Sequence, residues 1–335
     1  MDVGSLMMVG LEGLTLLHEE ERFLSMARPG GVILFARNME NRRQIQKLIR
    51  SLRRVTGRKD LWVAIDQEGG RVNRWKSGFG SLPSSEELGQ EFGRTKKGED
   101  IVNVGRKIGK DLAALGFNLN FAPVLDVLTN SVNTVIGDRS FGKDPELVAK
   151  AGLLFRKGLE DQGIMACGKH FPGHGGTMAG AHGDSHKELP RLSHDMKRLK
   201  KMELLPFDRA IKWGFNALMT AHILLPKIDP KLPVTLSPEF IEKLLRQKMN
   251  FKGVVFTDDL LMKGITNHFT LPEAASLALN AGVDNLLLCR YINAANQVYD
   301  SICREVSKPE SSLKPFILEA IDRIQKAKRK FGILT

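Results

Sequence analysis

Charged and imidazole side chains follow several apolar runs of this 335-residue sequence, at positions where they could carry acid–base or nucleophilic chemistry. They are Arg37, Asp66, Asp126, Lys169, His170, His222, Asp258 and Asp259. Each one alone is explained equally well as a helix cap or as half of an ion pair. A cluster of carboxylates, a lysine and histidines is costly to build for stability alone, because buried charges must be paired. We therefore interpret the set as a functional site.

Two members of this set have side chains that form covalent bonds with substrates in enzymes. Asp258, in the string VVFTDDL, can act as a nucleophile, a general base or a metal ligand, and the residue pattern does not choose among these roles. Strand alternation puts Asp258 and Asp259 on opposite faces, which predicts that at most one of them faces the site. Lys169 keeps a rival chemistry open, because a lysine at such a position can form a Schiff base with a carbonyl substrate.

The segment 169–186, KHFPGHGGTMAGAHGDSH, is the most unusual part of the chain, with four histidines and five glycines. His170 and His174 are four residues apart, a spacing that raises the question of a metal site. Pro172 and Gly173 interrupt the helix that would put both imidazoles on one face. We therefore predict that this pair binds no metal.

A second pair in the same segment fits proton transfer. Asp184 and His186 are spaced so that the carboxylate can hydrogen-bond to the imidazole, orient it and raise its pKa. The alternative for any histidine in this glycine-hinged loop is a solvated side chain, and we assign that state to His182. The pattern predicts that His186, oriented by Asp184, exchanges protons with a substrate.

The elements that must position these residues are eight short apolar runs with helical patterns between them, the alternation typical of a parallel sheet with crossover helices. The predicted strands are 5–10, 31–36, 61–66, 117–122, 164–169, 216–221, 253–258 and 284–289. Eight strands predict a closed (β/α)8 TIM-type barrel, in which the carboxyl ends of all strands meet at one mouth. A doubly wound open sheet is the alternative, but the turns lack a GxGxxG or GxxxxGK[ST] phosphate-binding signature in the right context.

Helix signals support the barrel. Helices 145–161 and 238–249 each open with a capping residue followed by proline, and helix 272–281 stops at Gly282. A barrel needs about 250 residues, so the chain has room for long βα loops and a C-terminal helix over 313–330. We predict a single α/β domain over residues 1–335.

Composition bounds the class of protein. The chain is 42% hydrophobic and carries only three cysteines without zinc-ligand spacing, which excludes a disulfide framework and a structural zinc site. Asp2 stands where a signal peptide would have a basic residue, and no run approaches the roughly 20 apolar residues of a membrane helix. We expect a soluble, cytoplasmic monomer with no membrane partner.

The net charge of +12 raises the question of a nucleic-acid partner. Residues 41–59 hold eight basic and no acidic residues. At helical spacing, Arg43, Lys47, Arg50 and Arg54 form a stripe on one face, which is more typical of a solvated barrel helix. We therefore predict no nucleic-acid partner.

Six strings of the sequence resemble the family 3 glycoside hydrolases, in family order and across nearly the whole chain. They are IDQEGGRVNRW (65–75), GDRSFGKDP (137–145), GKHFPGHG (168–175), DSH (184–186), LMTAHI (218–223) and VVFTDDLLMKGI (254–265). With GGVILFARN near its start, the chain most resembles the single-domain bacterial β-N-acetylglucosaminidases of peptidoglycan recycling. The resemblance implies a (β/α)8-type barrel and the retaining hydrolysis of a terminal β-linked N-acetylglucosamine, with no cofactor.

The resemblance also implies roles for individual residues. Asp258 matches the nucleophile, and His186 with Asp184 matches the dyad that serves as general acid and base. The positions that match the substrate-binding residues of the family are Asp66, Arg74, Arg139, Lys169, His170 and His222. The stretch 176–183 between GHG and DSH is several residues longer than expected in close relatives, which leaves the closed position of this loop open.

The implied substrates are N-acetylglucosaminyl-β-1,4-anhydro-N-acetylmuramic acid and its peptide-bearing forms, whose carboxylates suit a basic mouth. An alternative keeps the same covalent intermediate but lets phosphate accept the sugar, because a histidine acid/base would not repel the anion as a carboxylate would. Hydrolysis and transfer to phosphate use the same residues, so the sequence leaves the choice between them open.

Overall fold

The computed structural model describes residues 1–178, 184 and 187–334, and its parallel strands form the wall of a barrel. The strands of this part of the chain are β1 (Met7–Gly10), β2 (Gly31–Leu34), β3 (Trp62–Ile65), β4 (Leu119–Asn120), β5 (Met165–Ala166), β6 (Gly168–Phe171), β7 (Ala217–Thr220), β8 (Val254–Asp259) and β9 (Asn285–Leu288). Their order in the sheet is β5-β4-β3-β2-β1-β9-β8-β7-β6. All neighbouring pairs are parallel.

The predicted (β/α)8 barrel is confirmed, with one difference in its fifth strand. The predicted run 164–169 is divided at Cys167 into β5, which pairs with β4, and β6, which pairs with β7. These two short strands share one of the eight positions of the barrel. Lys169 on β6 also forms an isolated parallel bridge with Val124.

Large aromatic side chains fill the barrel interior. Trp62 on β3 and Phe256 on β8 lie on opposite walls, yet their ring centroids are 5.4 Å apart. Phe121 packs edge-on against Phe256 at 5.3 Å. A barrel interior packed this tightly leaves little room for side chains to shift. The loops at the mouth of the barrel therefore begin at fixed positions.

Helices cover the outside of the barrel. They are α1 (His18–Ala27), α2 (Arg42–Thr56), α3 (Lys76–Phe79), α4 (Ser85–Thr95), α5 (Glu99–Leu115), α6 (Pro145–Glu160), α7 (Met196–Lys201), α8 (Leu205–Lys212), α9 (Lys263–Thr266), α10 (Leu271–Ala281), α11 (Ile292–Ser307) and α12 (Leu313–Lys330). The predicted start of α6 at its Asp144 cap, the end of α10 at Gly282 and the C-terminal helix are confirmed. The predicted helix 238–249 is the π-helix Glu239–Lys248.

The basic helix α2 turns its apolar side inward. Ile45, Leu48, Ile49 and Leu52 are buried, whereas Arg43, Lys47, Arg50 and Arg54 are exposed, as the predicted solvated stripe requires. Among the described residues, no helix combines the length and the apolar character that crossing a membrane would take.

Candidate active site

A cavity of about 270 Å³ opens at the carboxyl ends of the strands. Seven of the predicted site residues line it: Asp66, Arg74, Arg139, Lys169, His170, Asp258 and Asp259. The lining also includes Glu68, His174 and apolar side chains such as Phe35, Val135 and Met262. The convergence of strand ends therefore brings together Asp66 and Asp258, which lie 192 positions apart in the sequence.

A tight turn after β3 places two carboxylates side by side at the cavity. Asp66 and Glu68 precede Gly69 and Gly70, whose φ angles of 99° and 52° lie in the left-handed region. A Cβ atom at Gly69 would lie 2.6 Å from the carbonyl oxygen of Pro83, so the turn depends on glycine. The chain then returns so that Arg74 lies beside Asp66, with Nη2 and Oδ2 3.2 Å apart.

Lys169 lies at the centre of the charged cluster and is only 1% exposed. Its Nζ is 2.7 Å from Oδ1 of Asp66 and 2.6 Å from Oε1 of Glu68. Burial by itself lowers the pKa of a lysine, but Asp66 and Glu68 outweigh it and raise the pKa of Lys169. A protonated ammonium is not a nucleophile, which disfavours the Schiff-base alternative.

Glu68 joins Lys169 to Arg139. Arg139 donates from Nε to Oε2 at 2.8 Å and from Nη2 to Oε1 at 2.9 Å, a two-pronged ion pair. Burial raises the pKa of Glu68, but Arg139 and Lys169 hold it well below its usual range. Nε of Arg74 is buried and has no hydrogen-bond partner within the described part of the chain.

Asp126 hydrogen-bonds to both histidines of the HFPGHG segment. Its Oδ2 lies 2.6 Å from Nδ1 of His170, and its Oδ1 accepts the backbone N–H of His174 at 2.6 Å. Burial raises the pKa of Asp126, but His170 outweighs it and lowers the pKa. The sequence predicts Asp126 at the mouth of the barrel, but this residue is fully buried and hydrogen-bonds to His170 and His174.

His174 lines the cavity although it is almost completely buried. Its Nδ1 lies 3.1 Å from Oγ1 of Thr177, and its carbonyl oxygen accepts from Nδ2 of Asn133 at 2.9 Å. Burial, and next the neighbouring His170, lower the pKa of His174 to about 4. The imidazole is therefore neutral at neutral pH.

The neutral state of His174 predicts a pH dependence of stability. The unfolded chain binds a proton at this histidine below pH 6.5, whereas the folded protein does so only near pH 4. The contribution to the free energy of unfolding is therefore present above pH 6.5 and is lost as the pH falls towards 4. Denaturant titrations measure the free energy of unfolding at pH 7 and at pH 5. The difference between these two values should be smaller for His174→Gln than for the parent protein. In the control variant His268→Gln, at an exposed histidine, the difference between the two pH values should equal that of the parent protein. Equal differences for His174→Gln and His268→Gln would contradict the neutral state of His174.

Asp258 and Asp259 both line the cavity, so the prediction from strand alternation that at most one faces the site is wrong. The register against β9 shifts between Phe256 and Asp259, and this irregularity breaks the alternation. Asp259 uses Oδ1 to accept the backbone N–H groups of Leu261 and Cys289, both at 3.1 Å, and so ties β8 to β9. Asp258 accepts the backbone N–H of Asp259 at 2.8 Å and remains half-buried at the cavity.

Of the other residues predicted for the site, some do not line the cavity and some lie outside the described residues. His222 is fully buried, with Nδ1 2.8 Å from Oγ1 of Thr235 and Nε2 3.1 Å from the carbonyl oxygen of Asp259, and it does not line the cavity. Asp184 lies 3.8 Å from Nζ of Lys187. His182 and His186 lie outside the described residues, so the Asp184–His186 dyad stays a prediction.

Glu68 and His174 were not assigned a role in the site from the sequence. The signal for Glu68 was its position two residues after Asp66, on the same side of an extended chain. The spacing of His174 from His170 suggests only a metal ligand. Within the described residues, no group of three or more histidines, cysteines or carboxylates is arranged to hold a metal ion.

The family model for the N-terminal domain of glycosyl hydrolase family 3 matches residues 1–327. The chain belongs to this family. It is therefore a glycoside hydrolase. The β-hexosaminidase of Thioalkalivibrio sulfidiphilus is 38% identical over 300 residues, which cover 88% of this chain and 83% of that protein. The β-hexosaminidase of Haemophilus influenzae is 36% identical over 318 residues, which cover 95% and 88%.

Solved structures of this family have the same architecture. A family 3 β-N-acetylglucosaminidase from Paenibacillus superposes with a TM-score of 0.93 at 37% identity, and the match covers 99% of this chain and 62% of that longer chain. NagZ from Neisseria gonorrhoeae, in complex with N-trifluoroacetyl-D-glucosamine, superposes with a TM-score of 0.79 at 31% identity. That match covers 99% of this chain and 98% of NagZ.

Proposed function

We propose that this glycoside hydrolase is a retaining exo-β-N-acetylglucosaminidase of the β-hexosaminidase type. The observation that carries the proposal is one cavity in which Asp258 faces a cluster of buried cations at the mouth of the barrel. The names of the relatives in the same family support this activity, and so does the glucosamine derivative bound to the gonococcal protein.

The cavity suits a single sugar ring. Its volume of about 270 Å³ is at the lower limit of ligand pockets, which favours one terminal residue over an internal segment of a polymer. Lys169, Arg139 and Arg74 offer N–H donors to hydroxyl and acetyl oxygens, and Asp66 and His170 lie beside them. Because these donors are already held by carboxylates, they need little rearrangement when the sugar binds.

The proposed reaction is a double displacement. The Asp258 carboxylate attacks the anomeric carbon while His186 protonates the departing glycosidic oxygen, which gives a covalent glycosyl-enzyme and a free alcohol. His186 then takes a proton from water, whose oxygen attacks the anomeric carbon and releases Asp258. Asp184 orients the imidazole in both steps, and no cofactor takes part.

We propose muropeptide-derived sugars as the natural substrates, with N-acetylglucosaminyl-β-1,4-anhydro-N-acetylmuramic acid as the simplest, and the cytoplasm as the place of the reaction. The three thiols are unpaired in the structure, as a reducing compartment would keep them. The alternative in which phosphate accepts the sugar has no support from the relatives, which are named as hydrolases.

The test is hydrolysis of para-nitrophenyl N-acetyl-β-glucosaminide in metal-free buffer. We expect turnover of this substrate, at least about a hundredfold slower turnover of the β-glucoside that lacks the acetamido group, and a β-anomer as the first product by proton NMR. Equal rates for both glycosides would contradict the sugar specificity. An α-anomer as first product would contradict the double displacement, and no turnover of either would contradict the proposed activity.

A further inference from the structure

A second cavity, of about 300 Å³, lies at the end of the barrel opposite the catalytic mouth. Asn216 and Gly253, which directly precede β7 and β8, line this basal cavity, and so do the last two turns of α12. The amino ends of parallel barrel strands meet at the end opposite their carboxyl ends. Strand β8 therefore runs between the two cavities, and the five steps from Gly253 to Asp258 span about 17 Å. The two cavities share no lining residue.

The basal cavity is lined by positive charge. Among the described residues that line it, none is acidic and four are cationic: Lys252, Arg323, Lys326 and Lys330. The carboxyl end of a helix favours cations, which accounts for Lys326 and Lys330 at the end of α12. It does not account for Lys252, which lies in the turn before β8. Two separate parts of the chain therefore bring cations to the same cavity.

The three lysines of the basal cavity keep most of their charge unpaired. Lys252 is exposed, and its ammonium forms no ion pair or hydrogen bond with the described residues. Lys330 donates from Nζ to Oδ1 of Asn216 at 2.8 Å, a neutral partner that positions the ammonium without cancelling its charge. Lys326 pairs with Asp322 at 2.6 Å, but both side chains are more than half exposed, so water screens this pair. An anion that enters the basal cavity therefore meets ammonium groups that can bind it.

Arg323 is held in place by the fold. Its Nε donates to Oδ1 of the buried Asp284 at 2.7 Å, and Oδ2 of the same carboxylate accepts from Nη2 of Arg246. Nη1 of Arg323 contacts Glu319 at 3.1 Å, whose side chain is exposed. Because two arginines share Asp284, this carboxylate does not cancel both of their charges. The guanidinium of Arg323 is thus already ordered, and a ligand does not have to fix it.

Apolar side chains form the rest of the wall of the basal cavity. They include Ile211, Phe215, Phe251 and Ala327. Phe215 and Phe251 are buried in the core, so this part of the wall is rigid. A volume of about 300 Å³ is at the lower limit of ligand pockets, which favours a molecule with one ring over a segment of a polymer. The basal cavity therefore suits a small molecule with an anionic group and an apolar face.

We propose that the basal cavity is a binding site for a small phosphate monoester, whose phosphate pairs with Lys252, Lys330 and Arg323 and whose ring packs on the apolar wall. Lysine and arginine side chains are the phosphate ligands of proteins. A phosphate monoester carries a charge of about −1.5 to −2 at pH 7, which matches several cations better than the single charge of a carboxylate does. A sugar phosphate and a nucleoside monophosphate share this chemistry. The inference does not depend on the proposed hydrolysis, because the catalytic residues lie at the other end of the barrel.

The test measures the dissociation constants of glucose 6-phosphate, adenosine monophosphate and inorganic phosphate by isothermal titration calorimetry at low salt. Lys252→Gln and Lys330→Gln each remove one charge from an exposed side chain of the basal cavity. Lys110→Gln, on the exposed side of α5, is the matched control, because it has the same net charge and changes no residue of the cavity. Lys169 and Arg139 of the catalytic cavity are unchanged in all three variants, so an anion bound there would lose no affinity.

We expect the parent protein to bind at least one of the two esters. Lys252→Gln and Lys330→Gln should each raise the Kd of that ester about fivefold to tenfold, and Lys110→Gln should raise it less than about twofold. Inorganic phosphate should bind at least about tenfold more weakly than the ester, because it has no ring to pack on the apolar wall. Raising the salt concentration should weaken binding to the parent protein. The ester with the lower Kd identifies the ligand as a sugar phosphate or a nucleotide.

A parent protein that binds neither ester would overturn the inference. Equal changes in Kd for all three variants would overturn it as well, because the ester would then respond only to the overall charge. An unchanged Kd in Lys252→Gln and Lys330→Gln would place the ester outside the basal cavity. Inorganic phosphate that binds as tightly as both esters would contradict the contact with the ring. None of these results bears on the hydrolysis of the para-nitrophenyl glycoside, which is measured separately.

Discussion

Replacement of Asp258 by asparagine should lower kcat for para-nitrophenyl N-acetyl-β-glucosaminide by at least about a thousandfold. The amide cannot attack the anomeric carbon, and the other carboxylates that line the cavity are engaged: Asp259 with two backbone N–H groups, and Asp66 and Glu68 with Lys169. The amide oxygen can still accept the N–H of Asp259 as Oδ1 of Asp258 does. The loss should therefore appear in catalysis, and the melting temperature should stay close to that of the parent protein.

Two further measurements separate a lost nucleophile from a disturbed site. Azide should restore part of the turnover of Asp258→Gly and give the inverted glycosyl azide, since a small anion can occupy the space of the missing carboxylate. The matched control is Asp208→Asn on the exposed side of α8, which removes a surface pair with Lys212 and should leave kcat unchanged. An Asp258→Asn protein with kcat within about tenfold of the parent would contradict the nucleophile role.

The sequence predicts the scaffold because barrel strands are buried on both faces and read as continuous apolar runs. It also predicts that residues at strand ends meet, and in this way Asp66, Lys169 and Asp258 were placed at one mouth. Neither rule predicts how deeply a side chain is buried below the mouth of the barrel. Asp126 and His222 follow strands in the same way as Asp66, yet both are fully buried, because neighbouring residues cover them.

The division of the fifth strand and the irregularity in β8 were beyond a sequence-based prediction for a related reason. Both depend on how the backbone of one strand fits the register of its neighbour. A two-residue periodicity assumes that this register is regular. Asp259, the second aspartate of TDDL, lines the cavity only because the register between β8 and β9 is irregular.

The charged cluster is organised by a carboxylate that contacts both buried cations. Lys169, Arg139 and Arg74 bring three positive charges, and Asp66 and Glu68 lie between them. Glu68 contacts Arg139 and Lys169 at once and is only 3% exposed. We infer that it is a positioning residue, which holds the two cations where the sugar needs them.

Replacement of Glu68 by alanine should therefore lower the free energy of unfolding by about 3–5 kcal/mol. The change leaves Lys169 with one carboxylate and removes both hydrogen bonds that Arg139 makes to Glu68. Denaturant unfolding at pH 7 measures the loss. Glu91→Ala on α4, which breaks an exposed pair with Arg94, is the control and should cost less than about 1 kcal/mol.

The lowered pKa of Glu68 fixes the direction of the pH dependence. A carboxylate whose pKa is lower in the folded state than its ordinary value of 4.5 stabilises the protein above that pH, and the stabilisation is lost as the pH falls further. The parent protein should therefore lose more stability than Glu68→Gln between pH 6 and pH 3. Glu68→Gln keeps the shape of the side chain and one acceptor oxygen, but its NH2 group faces a donor of Arg139 or Lys169. The variant should therefore fold at neutral pH with reduced stability and show a raised KM with a smaller change in kcat. An unchanged KM in this variant would mean that Glu68 only supports the fold, because a residue that positions Lys169 and Arg139 must affect how the sugar binds.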